Sequence, residues 1–471
     1  MGSINSNKIY LGTGHLFFIC FLLGTIYYFA ERLLNNDAAY YSFHVVNYES
    51  FFIKHERYIS YFTQWLPILL AKAGCNLKTV LISYSAIFGI WFYGLYILIA
   101  HVWKSPKTGL LLVLALCLTM RYKHYAGHTE ITFAIAVATT LFAWVIVPKD
   151  NLGWYSKKMD WLIKILFILW LYIIHPIIII PLAMMLGIDI IVNKRWRNLD
   201  HLAFVLVLLL SFGVRFITVA KDSYESGKVS ILSTGLEVFT NPEKYYVFHI
   251  VKRYFDKEYH IVFLFFMFCF VYLFLKKELL PAIGLFLGNL CILALVIVTY
   301  SYLKGDVLIM IDGYLGMMGM VIGYTIYLVA DRIKKENIFA AAVALLVLFC
   351  TVRIQSKSKF MKQRLDYYAQ TFRLYPENSK LYAPLKLHDW SKLWYPYEVP
   401  IESLMWSSME GKMPSKTIYI DYDAKNIIEK FPQSDVLYLF DSPMSISRLN
   451  PKFFKLPNDE PYKKIDSVAW K

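Results

Sequence analysis

Hydrophobic and polar residues fall along this chain in long blocks, not at the spacing of an amphipathic surface helix or a half-buried strand. Apolar runs at 9–30, 77–103, 108–120, 131–147, 161–174, 177–192, 202–219, 261–275, 279–302, 307–330 and 338–352 predict about eleven helices. The first is long enough to span a ~30 Å hydrocarbon core, which takes roughly 20 residues. It lacks a small-residue cleavage site and reads as an uncleaved first span. As one helix, 161–192 would be about 48 Å long, too long for one upright crossing. It predicts two short helices with a turn at His175-Pro176.

The polar blocks between these runs are unequal. Residues 31–67, ERLLNNDAAYYSFHVVNYESFFIKHERYISYFTQWLP, are too polar at Asp37, Glu49, Lys54, Glu56 and Arg57 for lipid, and too aromatic for a solvated linker. This first external loop is expected to form the active site, with 58–72 as a helix lying in the membrane interface. After Arg353 the composition turns polar. LYAPL and LWYPYEVP read as proline-containing loops, followed by strand-like TIYIDYD, a helical AKNIIEKF and strand-like DVLYLFD. The expected architecture is an all-α polytopic membrane module over residues 1–353 and a small α/β or α+β extracytoplasmic domain over 354–471.

Composition agrees: 58% of the 471 residues are hydrophobic and only 18% are charged, against about 25% charged in soluble domains. The net charge of +15 would suggest a nucleic-acid partner in a soluble protein. Here the basic clusters at 104/107, 149/157/158, 194/195/197, 276/277 and 332/334/335 all share one side if the His175 turn is real. The positive-inside rule makes that side cytoplasmic. The N-terminus is then inside, the C-terminus outside, and no nucleic-acid partner is implied. The six cysteines lie in or beside apolar runs without a CxxC pair, so neither a disulfide framework nor a zinc knuckle is expected.

Nearly all residues able to do chemistry fall on the outer side. Asp37 stands where the first helix reaches that interface, and it reads either as a helix cap or as a carboxylate facing a cavity. His124, His128 and Glu130 in RYKHYAGHTE could converge as a polar cluster or, less simply, a metal site. Glu130 also opens an apolar helix on the same side as Asp37. Arg57, Arg121, Lys123 and His175 are candidates to hold a phosphate, with Arg215, Arg253 and Lys304 as headgroup anchors or further candidates. Asp312 in MIDGYLGM is an ionisable residue inside a span, a functional candidate unless a neighbouring cation accounts for it.

The order Asp37-Ala38-Ala39-Tyr40, then HERYISYFTQWLPILLA, then Glu130 in GHTE resembles the GT-C superfamily of membrane glycosyltransferases. That superfamily includes protein and GPI mannosyltransferases and the aminoarabinose transferases of lipid A. The resemblance implies transfer of a sugar from a polyprenyl-phosphate carrier to an extracytoplasmic glycan, lipid or protein, with inversion. Asp37 would be the general base and Glu130 the second acid. Many members carry a second acid beside the first; here that position is Ala38, which leaves dependence on a divalent metal open. The expected location is a bacterial inner membrane, with the endoplasmic reticulum second, and the site faces outward. The C-terminal domain, which holds no evident catalytic cluster, is expected to assist acceptor binding. The rival class is a transporter or flippase for a lipid-linked or small polar substrate, disfavoured by spans nearly free of mid-helix charge, with Asn289 the main polar exception.

Overall fold

The computed structural model describes residues 5–54, 58–127, 130–149, 152–219, 235–304, 308–384, 396–409, 414–421, 434–439 and 443–465. Every apolar run becomes a helix. The first half holds α1 (Ser6–Tyr27), α2 (Phe29–Leu33), α3 (Asn36–Tyr48), α4 (Ser60–Lys72), α5 (Leu77–Ile97), α6 (Pro106–Cys117) and α7 (Glu130–Ile146). There follow α8 (Lys157–Tyr172), α9 (Ile179–Val192), α10 (Leu199–Val219), α11 (Tyr246–Arg253), α12 (His260–Leu275), α13 (Leu279–Thr299), α14 (Leu308–Ala330), α15 (Glu336–Ser356), α16 (Ser358–Leu374) and α17 (Val399–Ser408).

Among the described residues, five helices are long and apolar enough to cross a membrane: α1, α5 with its continuation to Val102, α13, α14 and α15 with α16. A sixth crossing arises if Tyr246–Glu258 and His260–Leu275, bent by 81°, form one broken span. This is a helical membrane protein. The expected count of about eleven crossings goes beyond what length and composition establish, because α6, α7 and the Pro176–Val192 helix are short. At 1.5 Å per residue α6 is about 18 Å long.

The centre of the bundle is α14, with 94% of its most apolar window buried. It packs on α6, α7, α9, α12 and α13. Its close approach to α6 depends on small residues: a Cβ on Gly319 would lie 2.6 Å from Thr119 Oγ1, and one on Gly323 3.0 Å from Leu114 Cβ. Small residues at such spacing let helix backbones approach where lipid supplies no hydrophobic drive for association.

The His175 turn is present: α8 ends at Tyr172, a 3₁₀ turn covers Pro176–Ile178, and α9 begins at Ile179. The basic clusters gather at one end of the bundle. Lys107 pairs with Asp331 at 2.6 Å and Glu336 at 3.1 Å, Arg332 pairs with Glu278, and Arg195 donates to the Val145 carbonyl at 3.1 Å.

The block expected as a loop at 31–67 is largely helical, comprising the end of α2, then α3, then most of α4. Beyond the bundle, α15 and α16 form a 39-residue helical stretch, Glu336–Leu374, that carries the last apolar helix into the polar C-terminal segment. There a three-stranded sheet has the order β2-β1-β5, with β1 (Lys380–Pro384) parallel to both β2 (Thr417–Asp421) and β5 (Lys463–Lys464). A short antiparallel pair joins β3 (Val436–Leu437) to β4 (Met444–Ser445).

The LYAPL segment, expected as a loop, is instead the central strand. Its proline sits at the strand end, where the missing N–H is tolerated, and Leu381, Tyr382 and Ala383 are buried. TIYIDYD and DVLYLFD contribute strands to different sheets, and AKNIIEKF lies outside the described residues. Leu381, Leu404 and Ile418 belong to the same continuous core as the bundle, so this segment is docked on the helices.

Candidate functional site

The site is built where the start of α3 meets the loop between α6 and α7 and the C-terminal segment. Asn36 opens α3 in the left-handed region, with φ 45°, and Asp37 follows in the first helical turn with its side chain exposed. The cap position belongs to Asn35, so Asp37 is not the cap. The Asn35 side chain caps nothing; its amide donates to the Glu31 carbonyl at 2.5 Å and the Tyr125 carbonyl at 2.7 Å. An acidic side chain in the first turn still faces the positive end of the helix. The Tyr397 hydroxyl donates to Asp37 Oδ1 at 3.0 Å.

Two contacts bring the segment leading into Asp37 against the segment leading into Glu130: the Asn35 to Tyr125 bond, and a 2.8 Å bond from Gly127 N to the Arg32 carbonyl. Glu130 opens α7, half-buried, and its charge bears on the buried Tyr84 hydroxyl. Tyr84 stands by Gln64 of α4, which clamps the Phe52 backbone through 2.8 and 2.9 Å hydrogen bonds. The two acids foreseen from the sequence therefore belong to adjoining segments of one region.

On α3 the helical period places Asp37, Tyr40, Tyr41, His44 and Tyr48 along one side. His44 stacks on Phe52 at 4.2 Å between ring centres, and Lys54 sits 4.6 Å above the Tyr40 ring. Tyr40 and His44 are half-buried and Tyr48 exposed, so this side of α3 presents aromatic rings with polar tips, while Tyr41 is buried.

The phosphate candidates separate. Arg121 is fully buried and donates to the carbonyls of Cys117 at 2.9 Å and Met120 at 2.8 Å, so its guanidinium is committed to the protein interior. That placement speaks against the expected phosphate role: a buried cation with internal acceptors has no path to an outer ligand. His175 is also buried. It caps the Pro176 turn, its Nδ1 accepting from Ile177 N at 3.4 Å, and it meets Tyr314 edge to face. Lys123 is half-buried with its aliphatic stem over Gly313. Arg57 and His128 lie outside the described residues. Arg215 is buried against the Tyr172 ring, whereas Arg253 and Lys304 are exposed.

Asp312 has its charge accounted for. Oδ2 accepts from the backbone N–H of Arg121 at 2.7 Å and of Lys123 at 2.8 Å, while Oδ1 accepts from the Tyr259 hydroxyl. The carboxylate ties the turn after α6 to α14. His124 sits in the same turn, 2% exposed, edge-on to Phe21 at 4.8 Å, with neither ring nitrogen hydrogen-bonded among the described residues. Burial, with the Arg32 charge adding to it, holds its imidazole well below the usual range and therefore neutral. No group of three or more metal-ligating side chains occurs among the described residues, and His124 is turned into the apolar interior.

Arg32, Tyr397 and Glu402 were not among the expected site residues. Arg32 is buried and donates to Ser85 Oγ at 2.9 Å and to the His124 carbonyl; burial lowers its guanidinium to about 9. Beside it, burial raises the Glu31 carboxyl. Glu402 of α17 accepts from Asn36 N at 2.7 Å. An arginine inside ERLL so close to a predicted span could have signalled a buried cation, but nothing local marks Tyr397 or Glu402. No family model, curated protein or solved structure matches the chain.

Proposed function

We propose that this protein is an integral membrane glycosyltransferase that moves a sugar from a polyprenyl-phosphate carrier to an acceptor hydroxyl outside the cytoplasm, with inversion. The supporting observation is the exposed Asp37 carboxylate, held by Tyr397 beside the aromatic side of α3 and adjoining the segment that leads to Glu130. Asp37 takes the proton of the acceptor hydroxyl as its oxygen attacks the anomeric carbon. The bond from that carbon to the carrier phosphate breaks on the opposite face, and its electron pair leaves with the phosphate. Positive charge developing on the sugar ring favours a nearby carboxylate, a role suited to Glu130. Lys123 and Arg57 serve the departing phosphate.

In this reading all eleven apolar helices lie in the membrane, short ones such as α6 leaving indentations on the outer face. The basic end of the bundle is cytoplasmic, and the site faces the outside of a bacterial inner membrane. Mass spectrometry of lipid-linked sugars and surface glycans from a deletion strain tests this. Accumulation of a lipid-linked sugar together with loss of one residue from a surface glycan, lipid or protein is the expected result. Unchanged profiles of both pools would overturn it.

A further inference from the structure

The start of α3 is held from a distant part of the chain. Asn36 adopts φ 45°, a conformation that disfavours side-chain-bearing residues other than Asn and Asp, and its N–H donates to Glu402 Oε1 at 2.7 Å. Glu402 is fully buried. Arg364 of α16 grips it through Nη2 to Oε1 at 2.8 Å and through Nε to Oε2, and the Tyr368 hydroxyl donates to Oε2 as well. Arg364 and Tyr368 are themselves buried. A buried carboxylate with a charged partner and hydrogen bonds on both oxygens has a single orientation available to it. Breaking such a set leaves an uncompensated charge.

From the same segment, Tyr397 reaches Asp37 Oδ1. A hydrogen bond on Oδ1 restrains rotation of the carboxylate and leaves Oδ2 for an incoming hydroxyl.

We infer that the C-terminal segment completes the site: Glu402, set by Arg364 and Tyr368, is a positioning residue for the α3 start, and Tyr397 orients the Asp37 carboxylate. This assigns the segment a part in the chemistry instead of acceptor binding alone. The role of Tyr397 in transfer rests on the proposed function; the positioning by Glu402 does not.

Hydrogen exchange of the full chain in detergent separates the two. In Glu402→Gln, amide exchange over residues 36–39 should quicken at least about tenfold, because one neutral carbonyl oxygen cannot serve Asn36 N–H together with the Arg364 and Tyr368 donors, while the C-terminal half of α3 stays at wild-type rates. The double variant Asn36→Gly/Glu402→Gln should regain much of the protection, because glycine takes φ 45° without strain. Wild-type exchange at 36–39 in folded Glu402→Gln overturns the positioning role. If Glu402→Gln does not fold, Arg364→Lys, which keeps the charge but loses the forked grip, gives the same reading by the same measure.

Tyr397→Phe removes one partly exposed hydroxyl and should leave exchange and melting unchanged. In the transfer assay it should lower kcat about tenfold at unchanged donor KM; a wild-type kcat overturns the role of Tyr397. If the wild-type protein transfers no sugar, the proposed function and the kinetic role of Tyr397 both fall, while the exchange measurements still decide whether Glu402 holds the helix start.

Discussion

The Tyr397 hydroxyl lies 3.0 Å from Asp37 Oδ1, a hydrogen bond that joins positions 360 residues apart. It links the first polar block of the chain to its last domain, and it does so at the residue that the order of acidic positions singles out. Asp37 is also exposed and in a first helical turn, so it is reachable from outside the fold.

Asp37→Asn should abolish most transfer. The amide keeps the shape but cannot accept the proton, and base catalysis contributes typically 10²–10⁴-fold. Because Asp37 is not the cap, the stability cost is limited to the helix-end charge, about 0.3–1 kcal/mol. Purified variant and wild type compared by initial rate and melting temperature give the answer; a near wild-type rate removes Asp37 from the mechanism. Glu130→Gln is the companion variant, with a reduced rate expected.

Asp312→Asn should act on stability before activity. The carboxylate accepts two backbone N–H bonds and a tyrosine hydroxyl in a buried setting, and the amide can accept on one oxygen only. Leaving a buried donor unsatisfied costs about 1–3 kcal/mol. A melting temperature several degrees lower, with residual activity per folded molecule close to wild type, is the expected outcome. A wild-type melting temperature with lost activity would instead make Asp312 part of the chemistry.

Acid should weaken the fold through His124. Its folded-state affinity for protons lies below that of the unfolded chain, so above about pH 6.5 both states are neutral and the residue has no effect. Below that pH the unfolded chain takes up a proton that the folded one refuses, and stability falls by up to about 1.4 kcal/mol per pH unit. Melting temperatures at pH 7.5 and pH 5 should differ less in His124→Leu than in wild type; equal differences would refute the assignment.

Orientation is open to cysteine labelling with an impermeant reagent. Asn47 is unsuited because it is buried and bonded to the Arg448 carbonyl and Asn450 N–H. Ser50 and Lys158 are exposed, and Ser434 half so, which makes them better positions. Ser50→Cys and Ser434→Cys should react in intact cells, and Lys158→Cys only after lysis. The reverse pattern would invert the topology.

How much of this was legible in the sequence follows from the range of the forces involved. Apolar runs form helices wherever they are placed, since unpaired backbone polar groups are costly in hydrocarbon, and the turn at His175-Pro176 is a local consequence of proline chemistry. The basic clusters at one end were likewise readable, because charge is excluded from the apolar interior. The helical placement of Glu130 at the head of an apolar run was legible too, whereas Asp37, expected where the first helix ends, stands in the first turn of a separate helix, α3. What the tertiary structure alone decided is which polar groups are spent on the fold. Arg121 looked like a phosphate ligand and Asp312 like a functional acid inside a span, yet the packing of α6 on α14 buries both, with Arg121 Nη1 donating to two backbone carbonyls and the Asp312 carboxylate accepting from two backbone N–H groups. Lys380–Pro384 looked like a loop because its proline outweighed its strand pattern, and only its pairing with Thr417–Asp421 and Lys463–Lys464 makes it a central strand. Tyr397 and Glu402 carry no local mark at all, because a hydrogen bond between groups hundreds of residues apart depends on where the chain returns, which is set by the packing of the whole core.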